Sequence, residues 1–107
     1  MNSYEEKYIS LAKEIVLKYV PKNDYAVFLF GSRANGKSKR TSDIDIGVYG
    51  EIELPQMAKI NLKDELEESS IPYYVDVIDF KTVSEDFKRI ALQSIVVWHN
   101  PKNLTIK

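Results

Sequence analysis

Two aspartates separated by one residue, Asp43 and Asp45, are the side chains of this sequence with the clearest capacity for chemistry. They lie in the segment DIDIGVY, whose alternation of charged and apolar residues is typical of a strand with two unlike faces, so both carboxylates point the same way. Neighbouring like charges repel and raise each other's pKa, and a bound cation would relieve that conflict. Hard oxygen ligands suit magnesium. Carboxylates that simply face solvent are the alternative interpretation.

A third carboxylate, Asp76, lies within the apolar run YYVDVIDF, where an unpaired charge would be costly to bury. If this strand pairs beside the strand of Asp43 and Asp45, the three acids can surround two magnesium ions about 4 Å apart. Such a site promotes in-line phosphoryl or nucleotidyl transfer. Asp79 falls on the opposite face by strand parity, so we interpret it as a strand-end or turn residue.

Gly31 and Ser32 directly follow the apolar run YAVFLF and form a candidate phosphate site. Glycine lets the backbone approach a ligand closely, the amides at the start of a helix attract anions, and the serine adds a hydroxyl. An ordinary turn between a strand and a helix, with the serine as a helix cap, would explain the same two residues.

Helices and strands must alternate along the chain to bring these candidates together. The patterns predict a helix at 4–19, a buried strand at 25–30, a short helix from about residue 32, a strand at 43–49, a helix at 55–69, a strand at 73–80 and a last helix at 84–100. The last helix is predicted to point five side chains inward: Phe87, Ile90, Ala91, Ile95 and Trp98. We therefore expect one α/β (α+β) domain over residues 1–107, built as a small mixed β-sheet with flanking helices.

Composition limits the functions open to the chain. Its 107 residues are 44% hydrophobic and fit a single core. A net charge of -1 gives no general electrostatic reason to bind nucleic acid directly. Cysteine is absent, which excludes disulfides, thiolate zinc sites and cysteine nucleophiles. The sequence lacks the continuous apolar run of a signal peptide or membrane span, so we expect a cytoplasmic protein without a membrane partner.

The segment FGSRANGKSKRTSDIDIGV resembles the signature of the DNA polymerase beta-like nucleotidyltransferase superfamily. Gly31 and Ser32, ten intervening residues, the Asp43-x-Asp45 pair and then Asp76 one strand later follow the family's order. The chain length also resembles that of minimal bacterial members. This resemblance implies a short mixed sheet with flanking helices that holds a nucleoside triphosphate, here ATP, and two Mg²⁺ ions.

The resemblance also implies roles for individual residues. Gly31 and Ser32 would bind the triphosphate, and Asp43 and Asp45 would each ligate magnesium. Asp76 would ligate the metal next to the attacking hydroxyl and accept its proton.

Positive and polar residues around this signature have less defined roles. Arg33 matches the arginine that commonly follows Gly-Ser in the family, and we expect it to orient phosphate or to pair with a strand carboxylate. Asn35 stands where many members carry another arginine, which leaves a phosphate role there without support. Lys37, Lys39 and Arg40 could neutralise triphosphate charge or face an acidic partner, and a solvated loop is the alternative.

Minimal members of the superfamily resemble antitoxin subunits encoded with a helical HEPN-domain partner, which is a ribonuclease toxin in such pairs. The resemblance implies a magnesium-dependent nucleotidyltransferase that moves AMP from ATP to a tyrosine of that toxin, forms a hetero-oligomer with it and so acts as its antitoxin. Two alternatives stay open. The chain could mask its partner without catalysis, or it could modify a small molecule as an oligomer.

Overall fold

The computed structural model describes residues 3–39 and 41–105. Its elements in chain order are α1 (Ser3–Tyr19), β1 (Tyr25–Phe30), α2 (Ser32–Asn35), β2 (Ile44–Gly50), α3 (Gln56–Glu68), β3 (Val75–Asp79), α4 (Glu85–Ala91) and β4 (Val96–His99). Arg40, which the sequence offers as a cation for a triphosphate or a partner, lies outside the described residues. No helix in the described ranges is long and apolar enough to cross a membrane.

The four strands form one mixed sheet in the order β3-β2-β1-β4. β1 is antiparallel to both β2 and β4, whereas β2 and β3 run parallel. All six residues of β1 are buried, as expected for an unbroken apolar strand with neighbours on both edges and cover on both faces. The prediction of a small mixed sheet with flanking helices is confirmed.

One surface of the sheet, which we call the closed face, is covered by α1 and α3. Its fully buried strand side chains, none more than 3% exposed, are Tyr25, Val27, Leu29, Ile44, Ile46 and Val48. Val75 and Val77 of β3 are half-buried against them. The apolar stripe of α1 and two leucines of α3, Leu62 and Leu66, complete this core. The apolar residues at helical spacing in α1 therefore pack against the alternate apolar residues of β2.

The opposite surface, which we call the open face, carries a smaller aromatic cluster and the candidate carboxylates. Phe28, Phe30 and Phe80 pack edge to face, with ring centroids 4.9 Å apart for Phe28 and Phe80 and 5.1 Å apart for Phe30 and Phe80. Gly47 leaves room for this cluster, because a Cβ atom there would lie 2.4 Å from the Phe28 ring. α4 is the only helix of the described chain that reaches this cluster, through Phe87 and Ala91.

The prediction of one helix over residues 84–100 is wrong in its second half. Ser84 does cap the helix, since its hydroxyl accepts a hydrogen bond from the Phe87 amide at 3.1 Å. The helix ends at Ala91, however, and Val96–His99 form β4 along the outer edge of β1. Pairing there satisfies backbone groups of a buried strand, and that tertiary gain outweighs the helical periodicity.

The inward orientation predicted for this segment holds only in part. Ile90 is 64% exposed and Phe87 is 41% exposed, so neither is a core residue. Ala91 and Ile95 are half-buried against the aromatic cluster. Trp98 is half-buried against the closed-face core.

Candidate active site

Strand pairing brings two of the predicted carboxylates side by side. In the parallel register of β2 and β3, Asp45 is the partner of Asp76. Paired residues of neighbouring strands share a face, so both side chains emerge on the open face. Asp43 precedes β2 and, two residues from Asp45, lies on the same face. Asp43 is exposed, whereas Asp45 and Asp76 are half-buried.

The electrostatics at Asp45 favour a bound cation. Burial raises the pKa of the Asp45 carboxyl, and the charges of Asp76 and Asp43 raise it further, while Arg33 partly offsets them. Ionised Asp45 therefore lies among like charges with little compensation. A divalent cation beside it would remove the repulsion that raises this pKa.

The donor chemistry of the site fits magnesium, although the three carboxylates are not gathered into a ligand set. Within residues 3–39 and 41–105, no three His, Cys, Asp or Glu side chains lie close enough to hold a metal ion as they stand. Repulsion between carboxylates favours rotamers that keep their oxygens apart. The backbone register already places Asp45 beside Asp76. Carboxylate oxygens on one face are the donors that Mg²⁺ prefers.

Gly31 forms a tight corner against Asp45. Its φ of 76° lies in the left-handed region, where residues with a Cβ atom are strained. A Cβ atom at this position would lie 2.4 Å from Asp45 Oδ2, so only glycine allows the backbone this close to the carboxylate. Gly31 itself is the N-cap of α2, and no side chain caps that helix. The alternative interpretation of Ser32 as a helix cap is therefore wrong.

Arg33 is buried beneath the site and does not face it. Its Nε and Nη2 donate hydrogen bonds to the Ser42 carbonyl oxygen at 3.1 and 2.7 Å. The guanidinium stacks on the Tyr73 ring, 4.6 Å from the ring centroid, and Nη1 lies 3.9 Å from Glu5 Oε2. Because Ser42 directly precedes Asp43, these contacts fix the backbone that carries the first carboxylate. With its side chain fully buried, Arg33 is in no position to orient a phosphate.

The residues that anchor Arg33 were missed by sequence reasoning. Tyr73 and Glu5 fall within segments whose patterns predict a strand and a helix, and nothing local marks them as partners of an arginine. Ser42 contributes only its backbone carbonyl, which any residue type would offer. The sequence drew attention to Arg33 itself, which follows Gly31 and Ser32, but not to its partners.

Two hollows flank the carboxylates. A groove of about 630 Å³ follows the outer edge of β3 beside α3. It is lined by α3 and by closed-face residues such as Val75 and Val77, and Asp76 is also among its lining residues. A smaller hollow of about 360 Å³ lies between the Gly31 and Ser32 corner and α4. Asp45 is paired with Phe30 on one side and with Asp76 on the other, so it lies between them. The arrangement offers space for a polyphosphate and for a second reactant on either side of the carboxylates.

Two other polar residues near the sheet are structural. Asp79 is buried and accepts hydrogen bonds from the backbone amides of Leu54 at 2.7 Å and Lys81 at 2.9 Å, in agreement with its prediction as a turn residue. His99 lies in β4, and its Nε2 is 2.6 Å from the Lys22 carbonyl oxygen. It therefore ties the end of β4 to the loop after α1.

Comparison with protein families and curated proteins gives a consistent result. The family model described as polymerase beta, nucleotidyltransferase matches residues 6–103. A curated relative, the probable protein adenylyltransferase MntA of Haemophilus influenzae, is 40% identical over 89 residues. That alignment covers 83% of this chain and 76% of the relative.

Solved structures share the fold. A toxin-antitoxin crystal structure with AMP-PNP aligns with a TM-score of 0.67 and 25% identity, over 86% of this chain and 73% of that one. An MNT antitoxin complex with a tri-AMPylated HEPN toxin of Shewanella oneidensis aligns with a TM-score of 0.64, 21% identity and coverage of 89% and 72%. A nucleotidyltransferase structure from Sulfolobus solfataricus aligns with a TM-score of 0.51, 27% identity and coverage of 94% and 88%.

Proposed function

This chain belongs to the polymerase beta nucleotidyltransferase family, and we propose that it is a protein adenylyltransferase that moves AMP from ATP to a tyrosine of a HEPN-domain toxin. It thereby acts as the antitoxin of that toxin and forms a hetero-oligomer with it. The observation that carries the proposal is the convergence of Asp45, Asp76 and Gly31 on the open face of a chain 40% identical to a protein adenylyltransferase. The toxin-antitoxin structure with AMP-PNP, at 25% identity, supports ATP as the donor.

Each residue of the site would have a role that follows from its position. Two Mg²⁺ ions would be held by Asp43, which directly precedes β2, by Asp45 on β2 and by Asp76 on β3. When bound, they neutralise phosphate charge and the charge that develops during transfer. Gly31 lets the backbone approach the polyphosphate, and the Ser32 hydroxyl donates to it. Arg33 holds Ser42, and hence the start of β2, from below.

The transfer is a single displacement at the α-phosphorus of ATP. The acceptor tyrosine oxygen forms a bond to that phosphorus, the bond to the oxygen bridging the α- and β-phosphates breaks, and pyrophosphate leaves. The phenolic proton passes to the Asp76 carboxylate, which acts as general base. The groove along β3 opens beside Asp76, so it is the side from which an acceptor-bearing segment would enter.

A transfer assay with matched variants tests this proposal. The protein is incubated with its partner, Mg²⁺ and ATP labelled at the α-phosphate, and label on the partner is measured. Asp45→Asn is expected to slow labelling by roughly 10²- to 10³-fold. Asp64→Asn, which removes an exposed carboxylate from α3, is expected to leave labelling unchanged. Absence of labelling with the wild-type protein would contradict the proposal.

The same variants separate catalysis from masking. If the protein silences its partner by AMP transfer, Asp45→Asn retains binding and loses inhibition of the partner's ribonuclease activity. If it only masks the partner, the variant inhibits as well as the wild type. Release of pyrophosphate with small-molecule acceptors and no partner present would instead indicate a small-molecule nucleotidyltransferase.

A further inference from the structure

Tyr74 is an exposed tyrosine immediately beside the carboxylates. Its carbonyl oxygen accepts a hydrogen bond from the Ile44 amide at 2.9 Å, which extends the β2 and β3 ladder by one residue. Tyr74 therefore precedes Asp76 by two ladder positions, and the Cα atoms of such residues are about 6.6 Å apart with side chains on the same face. The ladder also places Tyr74 opposite Asp43. Tyr74 is 68% exposed and, like Asp76, is among the residues that line the groove along β3.

Most other tyrosines with described side chains are committed to packing or hydrogen bonds. The Tyr19 hydroxyl donates to Glu65 and the Tyr25 hydroxyl donates to the Ile52 carbonyl. Tyr73 is half-buried under the Arg33 guanidinium. Tyr74 thus combines an accessible hydroxyl with a position next to the residue that is expected to accept the proton of the attacking group.

We propose that Tyr74 is an internal acceptor, so that the protein transfers AMP to its own Tyr74 when no partner occupies the groove. This inference rests on the proposed function, because it uses the same donor and the same carboxylates. The Tyr74 phenolic oxygen bonds to the α-phosphorus of ATP, pyrophosphate leaves, and the proton passes to Asp76. Because Tyr74 directly precedes β3, the strand that carries Asp76 in the same molecule, the reaction is intramolecular.

Modification of Tyr74 has a consequence for the groove. AMP adds a bulky group and a negative charge beside three carboxylates. The adduct occupies the entrance through which a partner's acceptor would approach Asp76, so the modified protein labels its partner several-fold more slowly than unmodified protein. Prior self-modification would thereby limit the enzyme in the absence of its partner.

Mass spectrometry of the isolated protein tests the inference. The chain is incubated with ATP and Mg²⁺ but without partner, and AMP adducts are measured on the intact protein and mapped to peptides. One AMP is expected on the peptide that contains Tyr74. Tyr74→Phe abolishes the adduct, whereas Tyr49→Phe, a matched change on the same face of β2, retains it. The modified fraction at a given time is independent of protein concentration.

The failures of the two proposals are distinguishable when partner labelling is measured in parallel. A labelled partner together with an unmodified wild-type chain overturns self-modification and leaves the proposed function standing. An adduct that persists in Tyr74→Phe, or that maps to another residue, also overturns the role of Tyr74. If neither the chain nor the partner receives AMP, both proposals are wrong.

Discussion

The two faces of the sheet are built from the same strands but differ in what their side chains do. On the closed face, Ile44 and Ile46 are fully buried under α1 and α3. On the open face, burial and the charges of Asp76 and Asp43 raise the pKa of Asp45, which alternates with these isoleucines. Because successive side chains of a strand point to opposite faces, β2 places its core residues on the closed face and its carboxylate on the open face. The closed face fixes the strands, and the open face carries the charges that the fold alone does not need.

The largest effect is expected for Asp45→Asn on the open face. Losing this carboxylate should slow AMP transfer by roughly 10²- to 10³-fold, the size found when an electrostatic stabiliser of a transition state is removed. Stability should not fall. Because the pKa of Asp45 is raised in the folded state, its favourable contribution is present below the unfolded pKa and lost as pH rises through the folded value.

Transfer rates are measured with Mg²⁺, and stability is measured by thermal melting at neutral pH without metal. Asp64→Asn serves as the control for loss of one negative charge. A variant that loses activity because it unfolds would contradict the separation of the two faces.

The matched change on the closed face is Ile46→Ala, one residue from Asp45 but pointing the other way. It leaves a cavity between β2 and the helices and should destabilise the protein by about 2–5 kcal/mol. Urea denaturation measures the loss. Transfer per folded molecule should change little, and a large drop in that quantity with unchanged stability would break the comparison.

A smaller effect is expected for Gly31→Ala, at the tight corner against Asp45. The new Cβ atom would meet Asp45 Oδ2 at 2.4 Å, and the positive φ adds strain, for a cost of about 1–3 kcal/mol. Gly36→Ala is the matched control, because Gly36 also has a positive φ but has no atom within 4 Å of the new Cβ. ATP affinity measured by calorimetry should fall for Gly31→Ala and not for Gly36→Ala.

The smallest effect is expected for Arg33→Lys. This change tests whether the buried contacts of Arg33 hold the start of β2, and with it Asp43, in place. Lysine cannot reproduce the two hydrogen bonds to the Ser42 carbonyl. The start of β2 should loosen, and magnesium-dependent ATP affinity should fall by about tenfold, as for loss of a residue that orients metal ligands. Arg89→Lys, an exposed change on α4, is the control. Equal affinity for both variants would show that Arg33 does not position Asp43.

The sequence anticipated the parts of the fold that local periodicity dictates. The stripe of α1, the apolar run of β1 and the alternation of β2 each predict their element to within one or two residues. The predicted site required β3 to pair beside β2. The structure has this pairing, which places Asp76 next to Asp45.

Long-range contacts account for what the sequence did not reveal. Val96–His99 have the β-branched residues of a strand, but their choice of strand over helix depends on the free edge of β1, which no local pattern shows. The orientation of the Arg33 side chain likewise depends on Tyr73, which is distant in sequence, and on the backbone carbonyl of Ser42, which no sequence pattern marks. An arginine at this position predicts a phosphate contact, but the Arg33 side chain is buried away from solvent.

Paramagnetic broadening by Mn²⁺ tests most directly whether the open-face carboxylates form a cation site for a nucleotide. Amide resonances of the protein with a non-hydrolysable ATP analogue would be recorded as Mn²⁺ is added. We expect broadening centred on Gly31, Ser32, Asp43, Asp45 and Asp76, and loss of that pattern in Asp45→Asn. Broadening centred on the acidic residues of α3, or a pattern unchanged by Asp45→Asn, would contradict the account.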